Sequence, residues 1–313
     1  MVAFVVGAAL CASAFPLLVY STSLAAFGLA HVASELWYVD HRFGRRVRME
    51  LVVGAAALLA AVVIVRVLMM TRMLAPPTAM IIELSLVCAL GALALPALVR
   101  SGARALVVGM VVVGGLALGT FFIPALTLTF LAVTHNATPA GFLVERAPSA
   151  DRVRVAAWCL LVFVAVPLAV ASGIIGETLA ALGLIDRTSS PNVALLPTGP
   201  LRDHLYVYLP RAWHGAGAAP DWFAGVVCAQ VLHYGTVIGV LPRTVDDGDV
   251  ARAPWPPVRW FVVAVLALSV GLFVHFAIAF AEARSIYGLA AGVHAWIEVP
   301  VLLLALTTLR KST

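Results

Sequence analysis

Long apolar runs dominate the sequence, and they limit what this chain can fold into. A membrane-spanning helix needs about 20 consecutive apolar residues, whereas a strand of a membrane barrel needs about 10 residues of alternating polarity. The runs here are continuous and therefore predict helices. Hydrophobic residues make up 63% of the chain and charged residues 11%, which is too little charge to cover the surface of a soluble protein. This composition excludes a soluble enzyme, a disordered chain and a nucleic-acid-binding domain.

The runs predict an all-α polytopic membrane protein in which residues 1–313 form a single domain, a bundle of about eight transmembrane helices. The run from Val2 to Tyr38 is too long for one span. Pro16 and the cluster Ser21-Thr22-Ser23 indicate two pieces that meet near residue 20, or one kinked helix. The later spans are expected at residues 51–70, 79–99, 105–133, 154–181, 222–241, 259–281 and 287–308.

Arginines occur in nearly every connection between these runs, so the positive-inside rule gives no orientation from the sequence. The best candidate for a cytoplasmic anchor is the cluster Arg42, Arg45, Arg46 and Arg48. We expect an integral protein of the inner (cytoplasmic) membrane of a bacterium, surrounded by membrane lipids. Arg66, near the end of its run, is expected to extend to the interface, and Glu83 and Glu177 are expected to be solvated.

The connection at residues 186–221 differs from the others because it is long and contains five prolines. Its part from Leu205 to Trp213 mixes aromatic residues with arginines, as a segment in the lipid headgroup layer does. The sequence therefore predicts either an interfacial loop or a lid over a site within the membrane.

Histidines and carboxylates lie inside the apolar runs, where a charged side chain costs about 2.5–3.5 kcal/mol on the insertion scale. His31 and Glu35 are four residues apart and share a helix face, and His294 and Glu298 repeat this spacing in the last run. Two further runs contribute His135 and His233. Side chains from different helices can converge in the core of a bundle. The candidate metal ligands are His31, Glu35, His135, His233, His294 and Glu298.

Neutral imidazole and carboxylate groups suit iron, and they also accept zinc, copper or manganese. Six such residues are enough to bind two ions, or one ion whose imidazoles are oriented by carboxylates. The four cysteines lie in apolar runs without a C-x-x-C pair, so they indicate neither a disulfide framework nor a thiolate metal site. Iron, as one or two ions, is therefore the expected cofactor.

A transition metal in a membrane core suggests oxygen or redox chemistry on a lipid-soluble substrate such as a carotenoid, another isoprenoid or an acyl lipid. Tyr234 and Glu35 are the candidate catalytic groups, with Tyr234 placed to donate a proton or hydrogen bond to bound oxygen. Two alternatives remain open. A b-type haem protein would use paired histidines such as His233 and His294, and a proton-coupled transporter would use the His and Glu side chains as a relay.

The placement of His31, His135, His233 and His294 on several apolar helices resembles the Brp/Blh-type β-carotene dioxygenases of bacteria. The resemblance lies in the layout and not in a contiguous motif. It implies iron held by histidines from several helices and oxidative cleavage of a carotenoid. The clustered H-x-x-H-H boxes of membrane fatty-acid desaturases and the Glu-x-x-His pattern of haem A synthase are absent from the sequence.

Overall fold

The computed structural model describes residues 1–246 and 248–308, and within these residues the secondary structure is helical, without strands. The helices are α1 (Val2–Ala14), α2 (Pro16–Phe43), α3 (Met49–Met70), α4 (Pro76–Ser101), α5 (Ala103–Phe122), α6 (Pro124–Thr134), α7 (Thr138–Arg146), α8 (Arg152–Leu160), α9 (Val166–Ala171), α10 (Ile174–Ala181), α11 (Ala219–Gly239), α12 (Val258–Ile278) and α13 (Phe280–Thr308). In this described part of the chain, eight helical segments are long and apolar enough to cross a membrane. They are α2, α3, α4, α5, the continuous run α8–α9, α11, α12 and α13. The predicted all-α polytopic fold is confirmed.

Prolines divide two of the predicted spans. The first run breaks at Phe15, just before Pro16, and not near residue 20, and the predicted span 105–133 breaks at Ile123, before Pro124. The residue before a proline is driven out of the helical conformation by the proline ring. A third break, at Gly173 with φ of +80°, separates α9 from α10 inside the predicted span 154–181. A left-handed φ is favourable for glycine alone among ordinary residues.

Two helical runs contain an irregular turn near the middle. A 3₁₀ turn, His135–Ala137, joins α6 to α7, and a π turn, Leu161–Ala165, joins α8 to α9. Pro167 has no N–H to donate to the Phe163 carbonyl, so one hydrogen bond of the α-helical ladder is missing next to this π turn. The two irregular turns contact each other. Irregular turns of this kind often occur at functional sites.

A network of charged side chains closes one end of the bundle. Arg42, at the end of α2, binds Glu145 of α7 at 2.5 Å and Asp249 of the α11–α12 connection at 2.9 Å. Asp249 also accepts hydrogen bonds from Arg46 and Arg146. The last turns of α13 pack beside the end of α2 and beside the α4–α5 connection. We call this side of the molecule the arginine end.

Residues 186–218 contain short 3₁₀ turns that cover the opposite end of the bundle, and we call them the cap. The last three residues of the predicted connection, 219–221, begin α11. Leu201, Leu205 and Leu209 of the cap belong to the main apolar core. The cap residue His204 accepts a hydrogen bond from Arg284 of α13 at Nδ1, 3.0 Å away, and donates one from Nε2 to the carbonyl of Thr198. Burial lowers the pKa of His204, and the adjacent Arg284 charge lowers it further. The neutral imidazole is therefore the form that fits the folded cap.

Candidate metal centre

Four histidines from four different elements meet in the core of the bundle. His31 comes from α2, His135 from the 3₁₀ turn, His233 from α11 and His294 from α13. One ring nitrogen from each histidine can be chosen so that all four lie within 4.8 Å of one another. His31, His233 and His294 are buried, and His135 is partly buried. These four residues form a compact set of nitrogen donors and are called the histidine centre below.

The nitrogen atoms are spaced as ligands of one ion would be. Nε2 of His294 lies 3.0 Å from Nε2 of His31 and 3.1 Å from Nε2 of His135. Two nitrogens that are each about 2.1 Å from one metal lie ~3.0 Å apart at a right angle and ~3.4 Å apart at a tetrahedral angle. A neutral imidazole nitrogen either donates one hydrogen bond or accepts one. Hydrogen bonding therefore explains one of the two contacts of His294 Nε2, whereas convergence on a cation explains both.

A carboxylate orients His135. Its Nδ1–H donates to Oε2 of Glu298 at 2.5 Å, and Oε1 of Glu298 accepts a hydrogen bond from Thr138 at 2.6 Å. Both oxygens of Glu298 thus accept hydrogen bonds on the Nδ1 side of the imidazole ring. Nε2 of His135 is therefore the nitrogen that faces the other histidines. Metal-binding histidines in proteins are commonly fixed in this way. The 3₁₀ turn makes the arrangement possible, because it carries His135 and places Thr138 directly after it.

Glu35 and His233 are both fully buried, and neither makes a hydrogen bond of good geometry with the described residues. Oε2 of Glu35 lies 3.5 Å from Nε2 of His233, which is too long for a good hydrogen bond. The carboxyl group of Glu298 also lies close to that of Glu35. Leaving polar groups unpaired in an apolar core costs several kcal/mol per group, on the order of 2–7. A bound cation would remove this cost, so the donor set fits a metal ion.

Tyr234 lies at the side of the histidine centre, against the ring of His31. Its ring stacks on that of His31 with centroids 3.9 Å apart, and its hydroxyl lies 3.2 Å from the hydroxyl of Tyr287. Tyr287 was not singled out in the sequence, although it shares a helix face with His294 and Glu298, seven and eleven residues later. A Cβ atom on Gly28 would come within 2.9 Å of the Tyr287 ring, so the close packing of α2 on this ring requires glycine.

The structure therefore brings all six predicted ligand residues and Tyr234 together, with Glu35 and Glu298 at the edge of the four imidazoles. His275 lies apart from them, half-buried and 3.9 Å from Glu282. The expectation that Glu83 is solvated is wrong, because its side chain is buried and paired with Arg66 at 2.6 Å. The four cysteines are free thiols, and Cys11 is exposed on the surface of the bundle.

An apolar cleft of about 1360 Å³ reaches the histidine centre from the side. His135, Thr138 and Glu298 form part of its wall, and apolar side chains of α5, α6, α7, α8–α9 and α13 form most of the rest. Several of these apolar side chains are exposed on the outer surface of the bundle, among them Val111, Leu118, Phe122, Phe130 and Leu160. In a membrane this surface faces lipid, so the cleft opens sideways towards the bilayer.

The chain matches no protein-family model, no curated protein and no solved structure.

Proposed function

We propose that the protein is a membrane-embedded oxygenase or related oxidoreductase that uses non-haem iron and acts on a lipid-soluble substrate. The observation that carries the proposal is the convergence of His31, His135, His233 and His294 at the inner wall of an apolar cleft. These four histidines are also the residues that carry the resemblance to Brp/Blh-type dioxygenases. Bundles of apolar helices suit the inner membrane of a bacterium, which is the location that the proposal expects.

The donor set favours one divalent ion. Imidazole ligands suit iron, and an iron ion supplies electron exchange and the activation of dioxygen. With Glu35 and Glu298 both ionised and the four imidazoles neutral, a single dication leaves the buried site without net charge. A second dication would leave two uncompensated positive charges in hydrocarbon, which is costly.

The surrounding residues have distinct tasks in this proposal. Glu298 orients His135, and Glu35 either orients His233 or supplies a further ligand beside it. Tyr234, whose ring stacks on that of His31, is the candidate donor of a proton or hydrogen bond beside the centre. The paired phenol of Tyr287 holds the Tyr234 hydroxyl in place.

The cleft supplies the substrate side of the reaction. Its walls suit a carotenoid, another isoprenoid or an acyl chain, and they keep water away from the reacting atoms. Dioxygen is itself soluble in the bilayer and can follow the same route. The substrate would contact the centre at His135, since this is the histidine that lines the cleft.

A b-type haem fits the geometry less well. The haem alternative pairs His233 with His294 across a flat macrocycle, whereas the ring nitrogens of His31 and His135 lie within 4.8 Å of both and contact His294 Nε2 at 3.0 and 3.1 Å, which crowds the space that a macrocycle needs. A haem would also leave Glu35 without a role. The spacing of the nitrogens therefore favours a non-haem ion over haem.

Elemental analysis beside an absorption spectrum tests the proposal. The protein, purified in mild detergent without chelator, is expected to contain about one iron per chain and to lack a Soret band. Replacement of each of the four histidines by alanine should lower the iron content, whereas the control His275→Ala should not. Full iron retention in all four variants, a Soret band, or wild-type protein without any transition metal would each contradict the proposal.

A further inference from the structure

A buried cluster of polar side chains lies on the side of α13 that faces away from the histidine centre. Arg66 of α3 contacts Glu83 of α4 through three nitrogen–oxygen distances of 2.6–3.1 Å. The indole N–H of Trp296 on α13 donates to the same carboxylate at 2.7 Å, and Arg66 also donates to the carbonyl of Gly288. Glu83 is 6% exposed and Trp296 is 4% exposed. This cluster therefore ties α13 to two other helices.

The arginine side chain lies directly against α13. A Cβ atom on Gly292 would come within 2.5 Å of the guanidinium carbon of Arg66. A side chain at this position would push the guanidinium away from the helix, so the contact depends on glycine. Gly288, Gly292 and Trp296 are spaced four residues apart and share one face of α13.

The opposite face of α13 carries the site. Tyr287, His294 and Glu298 share a face that is roughly 140° around the helix from Gly292, given 3.6 residues per turn. At ~6 Å from the helix axis, a rotation of 10° moves a side chain by ~1 Å. A metal site that is looser by about 1 Å loses much of its function. The contacts on one face therefore fix the rotation on which the other face depends.

We propose that Arg66, Glu83 and Trp296 are positioning residues. They fix the rotation of α13 about its own axis and thereby orient His294 and Glu298 towards the metal. The proposal rests on the metal centre proposed above. Stability alone does not explain the cluster, because replacing a buried ion pair by apolar residues is often neutral or stabilising. A defined rotation of the helix does explain it, since the guanidinium and the indole make directional contacts that apolar side chains would not.

Cobalt(II) is the probe for the test, because its visible bands report the geometry of its ligands. The variant Arg66→Leu with Glu83→Leu removes both charges together and leaves no unpaired ion. We expect this double variant to fold, with an unfolding temperature that is lowered because the buried indole N–H of Trp296 loses its acceptor. It should bind Co²⁺ about 10- to 100-fold more weakly and show shifted visible bands. Trp296→Phe, which keeps the ring and loses the N–H, should change the bands in the same direction by less.

The matched control removes another ion pair by the same chemistry. Arg187 and Asp221 form two hydrogen bonds of 2.8–2.9 Å at the cap end, away from α13. Arg187→Leu with Asp221→Leu should leave the affinity and the spectrum of bound Co²⁺ unchanged. Wild-type affinity and bands in the Arg66/Glu83 double variant would overturn the positioning role. If that variant does not fold, wild-type bands in Trp296→Phe would do so. Wild-type protein that binds neither iron nor Co²⁺ would instead overturn the metal centre itself.

Discussion

The hydrogen bond between His135 and Glu298 gives the most direct test of whether the histidine centre binds the proposed metal. Glu298→Gln keeps the size of the side chain and replaces a carboxylate acceptor by a neutral amide oxygen. The bond is short, 2.5 Å between Nδ1 and Oε2, and its carboxylate is buried. The change removes the charge that favours a cation at Nε2 on the far side of the imidazole ring, but it leaves the ring in place.

The expected loss follows from the strength of such bonds. A hydrogen bond to a charged group contributes about 1.5–3 kcal/mol and a neutral one about 0.5–1.5 kcal/mol, so the difference is about 1–1.5 kcal/mol. Because 1.4 kcal/mol corresponds to a factor of about ten in affinity, the hydrogen bond alone accounts for roughly tenfold. The lost negative charge adds to this. We expect Glu298→Gln to bind Co²⁺ or Fe²⁺ about 10- to 100-fold more weakly, the range found for such outer partners of metal ligands.

Competition against a chelator of known affinity measures this loss in purified protein. Glu282→Gln is the matched control, since Glu282 lies on the same helix and is 3.9 Å from a histidine outside the centre, His275. The control should bind as the wild type does. Wild-type affinity in Glu298→Gln, with the protein folded, would refute the argument that this carboxylate supports the metal through His135.

Three further predictions concern the cleft, the cap and the membrane orientation. Gly115 lines the cleft and has open space at its Cβ position, whereas Gly114 has similar space but does not line the cleft. Gly115→Phe should therefore reduce the amount of apolar compound that copurifies with the protein, as measured by mass spectrometry of extracts, and Gly114→Phe should not. Burial lowers the folded-state pKa of His204 below its ordinary value near 6.5, so its contribution to stability is present above 6.5 and is lost as the pH falls from 6.5 through the lower folded-state pKa. The drop in unfolding temperature from pH 7.5 to 5.5 should be smaller in His204→Gln, and an equal drop would contradict this. The arginine end should face the cytoplasm. In a chain whose native cysteines are replaced, Thr188→Cys in the cap should therefore react with an impermeant maleimide in intact cells, and Ala253→Cys at the arginine end should not. The reverse pattern would contradict this orientation.

The membrane fold could be predicted from the sequence because each span carries its own signal. An apolar run of about 20 residues must form a helix in a bilayer, whatever its neighbours are. The breaks at Pro16 and Pro124 follow from proline chemistry, but the sequence alone does not show which proline ends a helix and which one, like Pro300 inside α13, is accommodated. The predicted span boundaries also differ from the observed ones at Gly173, which breaks the span 154–181, and at the start of α13, which begins at Phe280 and not at residue 287.

The candidate site could be predicted in part for a similar reason. His31, His233 and His294 lie inside apolar runs, where water is not available to solvate a polar side chain. Each can therefore be selected as a site candidate without knowledge of its partners. Glu83 could not be interpreted in this way, because its partner Arg66 lies on another helix and the pairing depends on how α3, α4 and α13 pack. The distinct positions of Glu35 and Glu298 likewise depend on contacts between helices.

The sideways opening of the cleft changes what affinity means for this protein. Lipid tails are as apolar as the cleft walls, so moving a hydrocarbon substrate from the bilayer into the cleft has almost no hydrophobic driving force. Binding is an exchange in which the substrate displaces lipid, and its strength must come from shape and close packing against side chains such as Phe163 and Leu302. Occupancy should therefore depend on the mole fraction of substrate among the surrounding lipids and not on its concentration in water. Detergent or added lipid then acts as a competitor for the cleft, and a membrane of different lipid composition changes the apparent affinity without any change in the protein.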